Sequence, residues 1–504
     1  MLDIPSFAQL NIDVTLPAAL LAVWATTLLL LGVFIPDNRK HVTPILAVLA
    51  LVVSFVLNLV YYNAGEQAFE GMFIADTFSG FVNIVALLTA FLSVMLAYDY
   101  MQRTGIESSE FYPLLLFTTS GIMFMGHAND LLVVFVALEL LSIPLYILAA
   151  FRYPELKSEE AGLKYFILGA FASAFFVYGA ALTYGSTGTT NLREVALAVG
   201  SIISGSSSAD FLLLIGTGLL LVGLGFKVAV APFHMWTPDV YEGAPTPVAA
   251  FMSVGAKLGG FAALLRIMAF ALPAFIVTDG STTAAWQDVV WILAAVTLIL
   301  SNIVAVAQTN IKRMLAYSSI SHAGFIMMAV AAAGSAGVTD AAIQAALVYL
   351  LTYMFANLGA FGVALAIEKD DGSGTQIDDF VGLAKSRPML AIMMSVFMLS
   401  LTGIPLTGGF IGKWFVFKAT LDADLVPLAV IAVLMSAVSA FYYIRVVVNM
   451  YLRDGDGDAA AGATSYVTWA VYASFAGTIL LGIFPFLATD LTNSITLAAS
   501  IFGG

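Results

Sequence analysis

Four ionisable residues sit in stretches of chain that are otherwise apolar: Glu139 in 130–151, Lys227 in 210–231, Lys257 in 245–270 and Lys413 in 389–418. An ionised side chain at the centre of a bilayer costs roughly 2.5–3.5 kcal/mol on insertion scales, so such groups face a bundle interior or water and often mark ion paths. One reading is interhelical pairing, with Glu139 and a single lysine fixing the packing. One acid cannot neutralise three lysines, however. A surplus ammonium in a low-dielectric interior gives up its proton more readily, and a neighbouring carboxylate favours its charged form. The pattern therefore reads as proton carriage, with Glu139 tuning a nearby lysine.

Two of the lysines lie beside helix breakers. Lys227 precedes Pro232 in Gly225-Phe-Lys-Val-Ala-Val-Ala-Pro, and Lys413 follows Gly403-Ile-Pro-Leu-Thr-Gly-Gly-Phe-Ile-Gly. Proline removes a backbone donor and clashes with the preceding turn. Irregular backbone at membrane depth is tolerated only where it is buried or lines a wet cavity. His234, just after Pro232, has a side chain type whose ordinary pKa of about 6.5 suits proton relay. His322 shares a polar patch with Ser318, Ser319 and Ser321. Both histidines equally suit plain interhelical hydrogen bonding. His127 and His41 fall in loops, and Asp99 at a span end is expected to be solvated. Gly255 and Gly259 around Lys257 form a small-xxx-small face suited to close packing.

The elements that position these residues follow from composition. Of 504 residues, 61% are apolar and only 10% charged. A soluble domain carries about 25% charged residues, so this is a polytopic membrane protein. We read fourteen spans, near 16–35, 44–62, 77–100, 112–126, 130–151, 162–184, 210–231, 245–270, 288–307, 314–333, 341–367, 389–418, 425–451 and 466–490. Strands are not an alternative, because the runs are too long and lack two-residue alternation. The odd-numbered loops hold Arg39, Lys40, Arg103, Arg152, Lys157, Lys164, Lys312, Arg313, Lys369, Lys385, Arg387 and Arg453. The even-numbered loops hold only Arg193 and Lys418. This segregation predicts an even span count with both termini on the outer side. The acidic loop 368–387 and the turn with Asp454, Asp456 and Asp458 fall on the basic side, where carboxylates weigh little. Arg266 and Arg445, toward helix ends, are expected to snorkel to the interface. Before the first apolar run there are Asp3 and Asp13 but no base, so the first span is expected to be retained.

The broken spans are the seventh and the twelfth, five apart. Five is odd, so a repeat of that length must be inverted in the membrane, and paired interrupted helices point to a transporter's ion site. The expected fold is an all-α membrane protein with about fourteen transmembrane helices and two inverted five-helix repeats. The N-terminal helices 1–3 would occupy 1–110, helices 4–8 (first repeat) 111–271, helices 9–13 (second repeat) 286–452, and helix 14 the remainder, 466–504. The chain has no cysteine, which removes thiolate cluster ligation and covalent haem attachment. Its net charge of −13 argues against nucleic acid. No phosphate-binding loop or dinucleotide fingerprint is present, so the energy must come from an ion gradient or another subunit.

Four stretches resemble the antiporter-like membrane subunits of respiratory complex I, closest to the branch that holds mitochondrial subunit 2 and its plastid counterpart. They are Asn129–Pro144, Ala161–Ala170, Pro232–Pro247 running on to Lys257, and Gln308–Ile320. The resemblance spans nearly the whole chain and is strongest over 130–420; Gly403–Lys413 is common to all such subunits. It implies Glu139 as the fifth-helix acid, Lys227 as the seventh-helix lysine, Lys257 as the connecting lysine and Lys413 as the twelfth-helix lysine, with His234 and His322 on the polar axis. The chain stops at Gly504, without the lateral helix of the larger antiporter-like subunit. The resemblance further implies a proton-translocating subunit of an NADH:quinone oxidoreductase, working among other membrane and peripheral subunits in a prokaryotic inner membrane. NADH, flavin, iron–sulfur clusters and quinone would be used elsewhere in the complex, with no cofactor or metal bound by this chain. Alternatives are a multisubunit cation/proton antiporter, a membrane-bound hydrogenase subunit, or a scaffold whose buried charges only fix packing.

Overall fold

The computed structural model describes residues 10–36, 39–62, 65–203, 209–272, 275–278, 281–455 and 465–497. Asp3, Asp456, Asp458 and Gly504 lie outside them. Each expected span meets helix. Among the described residues, twelve helices are long and apolar enough to cross a membrane. The fourth span is a shorter helix, Phe111–His127, and the twelfth is split into Pro388–Thr402 and Gly408–Asp422.

The two five-helix units pack by one scheme. In the first, span 4 packs on span 5 (Leu131–Ala149), 5 on 6 (Leu156–Thr187), 6 on 7 (Ala209–Val228), 7 on 8 (Thr246–Leu265), and 8 returns to 4. In the second, span 9 (Gln287–Val306) packs on 10 (Ile311–Ala333), 10 on 11 (Thr339–Ile367), 11 on 12, 12 on 13 (Val426–Leu452), and 13 returns to 9. Spans 1–3 (Leu16–Gly32, Val42–Val60 and Thr77–Thr104) flank the first unit. Span 14 (Ser465–Ile483) covers spans 3, 11 and 12. Spans 8, 10 and 11 are almost wholly buried, whereas spans 1, 2, 6, 13 and 14 leave most of their surface open.

Some structure lies outside the expected spans. A twelve-residue helix, Leu192–Ile203, lies between spans 6 and 7. It buries Leu192, Val195 and Val199 and packs against a π-helical turn, Arg266–Ala271, that extends span 8. Two short antiparallel hairpins, Glu66–Ala68 with Phe73–Ala75 and Phe275–Thr278 with Ser281–Ala284, also occur. They sit between spans, so the exclusion of strands holds only for the bilayer segments.

Both breaks account for the backbone groups they free. At the seventh, Ala229 takes a left-handed φ of 62°. The Val230 N–H reaches back to the Gly225 carbonyl (3.0 Å), Ala231 N–H donates to Thr297 Oγ1 on span 9 (2.9 Å), and the chain re-forms as Trp236–Gly243. At the twelfth, Gly403, with φ 94°, closes the first half by donating to the Leu399 and Ser400 carbonyls. The second half starts at Gly408, and Gly409 N–H donates to Ser400 Oγ (3.0 Å). A Cβ on Gly409 would overlap the Ser400 carbonyl oxygen, whereas one on Gly218, on the open face of span 7, meets nothing within 4 Å. Gly409→Ala is therefore expected to lower the melting temperature and membrane yield of the protein, and Gly218→Ala to change neither. Equal thermal melts for the two variants would show that the halves of span 12 do not depend on this close approach.

Candidate functional site: a line of buried lysines

Lys227 lies at the end of the first half of span 7, 3% exposed. Its Nζ donates to Ser142 Oγ on span 5 (2.7 Å) and to the Tyr165 hydroxyl on span 6 (3.2 Å), over whose ring it sits at 5.4 Å. Tyr165 is held by parallel stacking on Trp236 (4.4 Å), which itself donates to the Phe226 carbonyl that also accepts the Ala229 N–H at the break. Lys257, 1% exposed, donates to the Val228 carbonyl at the same break (3.1 Å). Lys413, 5% exposed, donates to the Thr402 carbonyl at the other break (2.8 Å) and to Ser436 Oγ on span 13 (2.7 Å). It also lies over the ring of Phe325 at 4.5 Å. Helix-terminal carbonyls carry partial negative charge, so each break supplies an acceptor for an ammonium.

Glu139 does not form an ion pair with Lys227. Among the described residues no carboxylate lies within 4.0 Å of Lys227, Lys257 or Lys413. Glu139 accepts instead from Ser173 Oγ on span 6 (2.5 Å) and acts on Lys227 through space. It is half-buried, on the same helix face as the exposed Leu132, Val136, Ile143 and Ile147.

Within the second repeat lies a tier of hydroxyls around His322. Its Nδ1 is bonded to the Tyr349 hydroxyl (2.6 Å) and its Nε2 to that of Tyr443 (3.1 Å). Ser318 meets Tyr443 (2.5 Å), Tyr353 donates to Ser319 (2.9 Å), and Asn302 links Ser321 to Tyr442. The expected polar patch is thus bonded in adjoining groups, with Ser318 and His322 sharing Tyr443 and Ser319 held apart on Tyr353. His322 lies within electrostatic range of both Lys257 and Lys413. His234 sits in the seventh break with its Nδ1 unpartnered, within electrostatic range of Lys257. Glu139 is thus in electrostatic range of Lys227, His234 of Lys257, and His322 of both Lys257 and Lys413.

Several expectations at span ends fail. Arg266 does not snorkel. It is 1% exposed, forms a bidentate pair with Asp76 at the start of span 3 (2.7 and 2.9 Å), donates to the Gly126 carbonyl (2.8 Å), and lies over Phe78. Arg445 instead caps span 9 through the Val306 and Gln308 carbonyls. Asp99 is buried and accepts the Val467 N–H at the start of span 14 (3.1 Å). His127 ends span 4, buried between Asn83 (2.9 Å) and the Ile74 carbonyl (2.9 Å). Gly255 and Gly259 serve packing, facing Ile122 on span 4 and Leu141 on span 5. Lys312 and Glu368, counted with the loops, are 5% and 2% exposed.

Helices broken at two symmetry-related places, with lysines on the freed carbonyls, define an antiporter-like ion-translocating membrane subunit. Residues 128–439 match the family described as NADH:quinone oxidoreductase/Mrp antiporter, TM. The chain is 43% identical over 480 residues to NADH-quinone oxidoreductase subunit N of Trichlorobacter lovleyi, covering 95% of this chain and 96% of that one. It is 44% identical over 477 residues to subunit N of Chloroflexus aggregans, covering 94% and 95%. A chain of respiratory complex I from Thermus thermophilus superposes with TM-score 0.77 at 36% identity, covering 96% and 99%. A chain of the Mrp complex from a Dietzia species shares the fold (TM-score 0.82, 21% identity, 98% of each chain). The chain belongs to the subunit N family of NADH-quinone oxidoreductase.

The Arg266 pair offers a direct test of the packing. Asparagine also caps helices well, so Asp76→Asn removes the charge while keeping the start of span 3. Breaking a buried pair leaves an uncompensated charge and costs about 3 kcal/mol at the lower end of the usual range. The expected result is a lower melting temperature of the detergent-solubilised complex. An unchanged melt would mean that the Arg266 charge is satisfied without Asp76.

Proposed function

We propose that protons cross this complex I membrane subunit along the line Lys227, Lys257, His322 and Lys413, with Glu139 setting the charge state of Lys227. The observation that carries this reading is that each helix break presents its freed carbonyl to a buried lysine, among residues that offer no counter-carboxylate. Such an ammonium is stabilised by dipoles and hydroxyls alone, so a modest change in the surrounding charge is enough to discharge it. Moving one elementary charge against 100 mV takes about 2.3 kcal/mol, which is comparable to the energies that separate the two charge states of a buried lysine.

The half-buried Glu139 sits on an open face of span 5. A carboxylate facing lipid tails is costly, so this face is covered by a neighbouring membrane subunit. Charge shifts begun by quinone reduction elsewhere in the complex reach Lys227 through that contact. Lys227 loads, His234 and water pass the proton toward Lys257, the His322 tier carries it onward, and Lys413 releases it. The basic odd-loop face lies on the inner side of a bacterial membrane, with both termini outside. NADH, flavin, iron–sulfur clusters and quinone are handled by other subunits.

Replacing Lys227 with alanine in the intact complex and reconstituting it in proteoliposomes tests the line. The expected outcome is fewer protons pumped per electron, with the complex assembled in normal amount. Unchanged stoichiometry and rate would remove Lys227 from the path. Sodium transport without any redox donor would instead assign the chain to cation/proton exchange.

A further inference from the structure

Lys312 is a fourth buried lysine, and nothing above uses it. It opens span 10 in the Ile-Lys-Arg-Met-Leu-Ala-Tyr-Ser-Ser stretch, on the basic-loop face. Its Nζ donates to the Ala244 carbonyl (2.7 Å), and among the described residues no carboxylate lies within ion-pair distance of it. Burial acts most strongly on its charge, and Glu368, at the end of span 11, leads the charged groups that act on it through space, ahead of Glu155, Arg152 and Glu242. That carboxylate accepts from Thr246 at the start of span 8 and from the Tyr100 hydroxyl (3.4 Å), and it faces Arg152 at 3.7 Å.

On the solvent side, a surface cavity of about 140 Å³ is lined by Lys157, Glu160, Lys164, Asp239, Glu242 and Gly243. A water needs only about 10–15 Å³ of such space, so several fit. Arg313 bridges Asp239 (2.6 Å) and Glu242 (3.1 Å), and Lys164 meets Asp239 (2.7 Å). The cavity ends at Gly243, one residue from the carbonyl that holds Lys312. On the inner side, Ser319 lies two turns below Lys312 on span 10, a spacing that keeps both on one face. Tyr241, from the half-helix that lines the cavity, and Tyr353 both bond to Ser319. The Tyr353 ring lies 4.9 Å from that of His322. Thr237, one turn from Tyr241, is fully buried with an unpartnered hydroxyl, where a water that enters gains a partner.

We propose that Lys312, with Glu368 as its through-space counter-charge, is the port through which protons pass between the basic-loop cavity and the His322 tier. A proton arriving on cavity water is taken by neutral Lys312. The same proton then leaves through water at Thr237 toward the Tyr241–Ser319–Tyr353 hydroxyls, returning Lys312 to its neutral form. Nothing is consumed, and one proton enters for each that leaves. This step rests on the lysine line proposed above.

The test compares Lys312→Met, Lys312→Arg and Lys227→Ala in the whole complex, measuring assembly, quinone reductase rate and protons pumped per electron in proteoliposomes. Arginine keeps the positive charge but does not deprotonate in proteins. The port requires both Lys312 variants to assemble normally and to lose pumped protons per electron. Normal pumping by Lys312→Arg would overturn it, since a fixed charge would then suffice; normal pumping by Lys312→Met would overturn it outright. If neither Lys312 variant assembles, Glu368→Gln decides: impaired pumping supports the port and unchanged pumping rejects it. Loss in Lys227→Ala with normal pumping in the Lys312 variants would remove the port and leave the line standing. Normal pumping in all of them would remove both.

Discussion

The structure depends on one interaction, a lysine ammonium on a main-chain carbonyl released by a helix break. Each partner is costly alone. An unsatisfied amide carbonyl in an apolar interior costs roughly 2–7 kcal/mol depending on reference state, and a lysine at the bilayer centre roughly 2.5–3.5 kcal/mol on insertion scales. Together they satisfy one another without a carboxylate. Lys257 takes Val228 and Lys413 takes Thr402. Other freed groups are met from neighbouring spans, with Thr297 accepting from Ala231 and Ser400 from Gly409. The breaks therefore survive only because spans 8, 9 and 13 bring the right side chains to them, and those spans are placed by the packing scheme that both repeats share.

The two repeats use the interaction differently. At the seventh break the charge is divided: Lys227 ends the helix and bonds to Ser142 and Tyr165, while Lys257 from the next span takes the carbonyl. At the twelfth a single lysine in the second half-helix takes the carbonyl of the first. Among the described residues, only the first repeat has an acid, Glu139, acting through space on its broken-helix lysine. The first repeat thus holds two lysines at one break and a carboxylate that acts on one of them. The second holds one cation beside aromatic rings and hydroxyls. This asymmetry is what the proposed loading at Lys227 and release at Lys413 rest on.

Charges at membrane depth were legible in the sequence because lipid makes them rare, so Glu139, Lys227, Lys257 and Lys413 stand out against their apolar neighbours. The breaks were legible because proline and paired glycines have few other uses inside a span. Span ends were not legible. Hydropathy says where a helix leaves the apolar layer, not what covers it there. Asp99 is buried by span 14, whose Val467 lies 368 residues away. Arg266 is buried by the start of span 3, and Glu368 by Tyr100, Arg152 and Thr246. No local pattern carries those contacts. The distinction between Lys312 and Arg313, adjacent in sequence, is one of helix face alone: the first turns in to Ala244 and the second out to Asp239.

The hydrogen-bonded groups form tiers rather than an unbroken wire. Glu368 with Thr246 makes one tier, and Asn357 donating to Ser253 (2.5 Å) makes another. Between them span 8 presents the buried Ala249 and Ala250, and span 11 the buried Phe361. Apolar side chains offer water no partners, and a buried water needs two to four polar partners to stay. The unpartnered Asn357 Oδ1, Thr237 Oγ1 and His234 Nδ1 mark where water gains a partner when it does enter. A pump requires this arrangement, because a continuous wire would let protons run back down the gradient that the complex builds. On the proposed lysine line, conduction therefore needs a change of charge that draws water across these apolar layers.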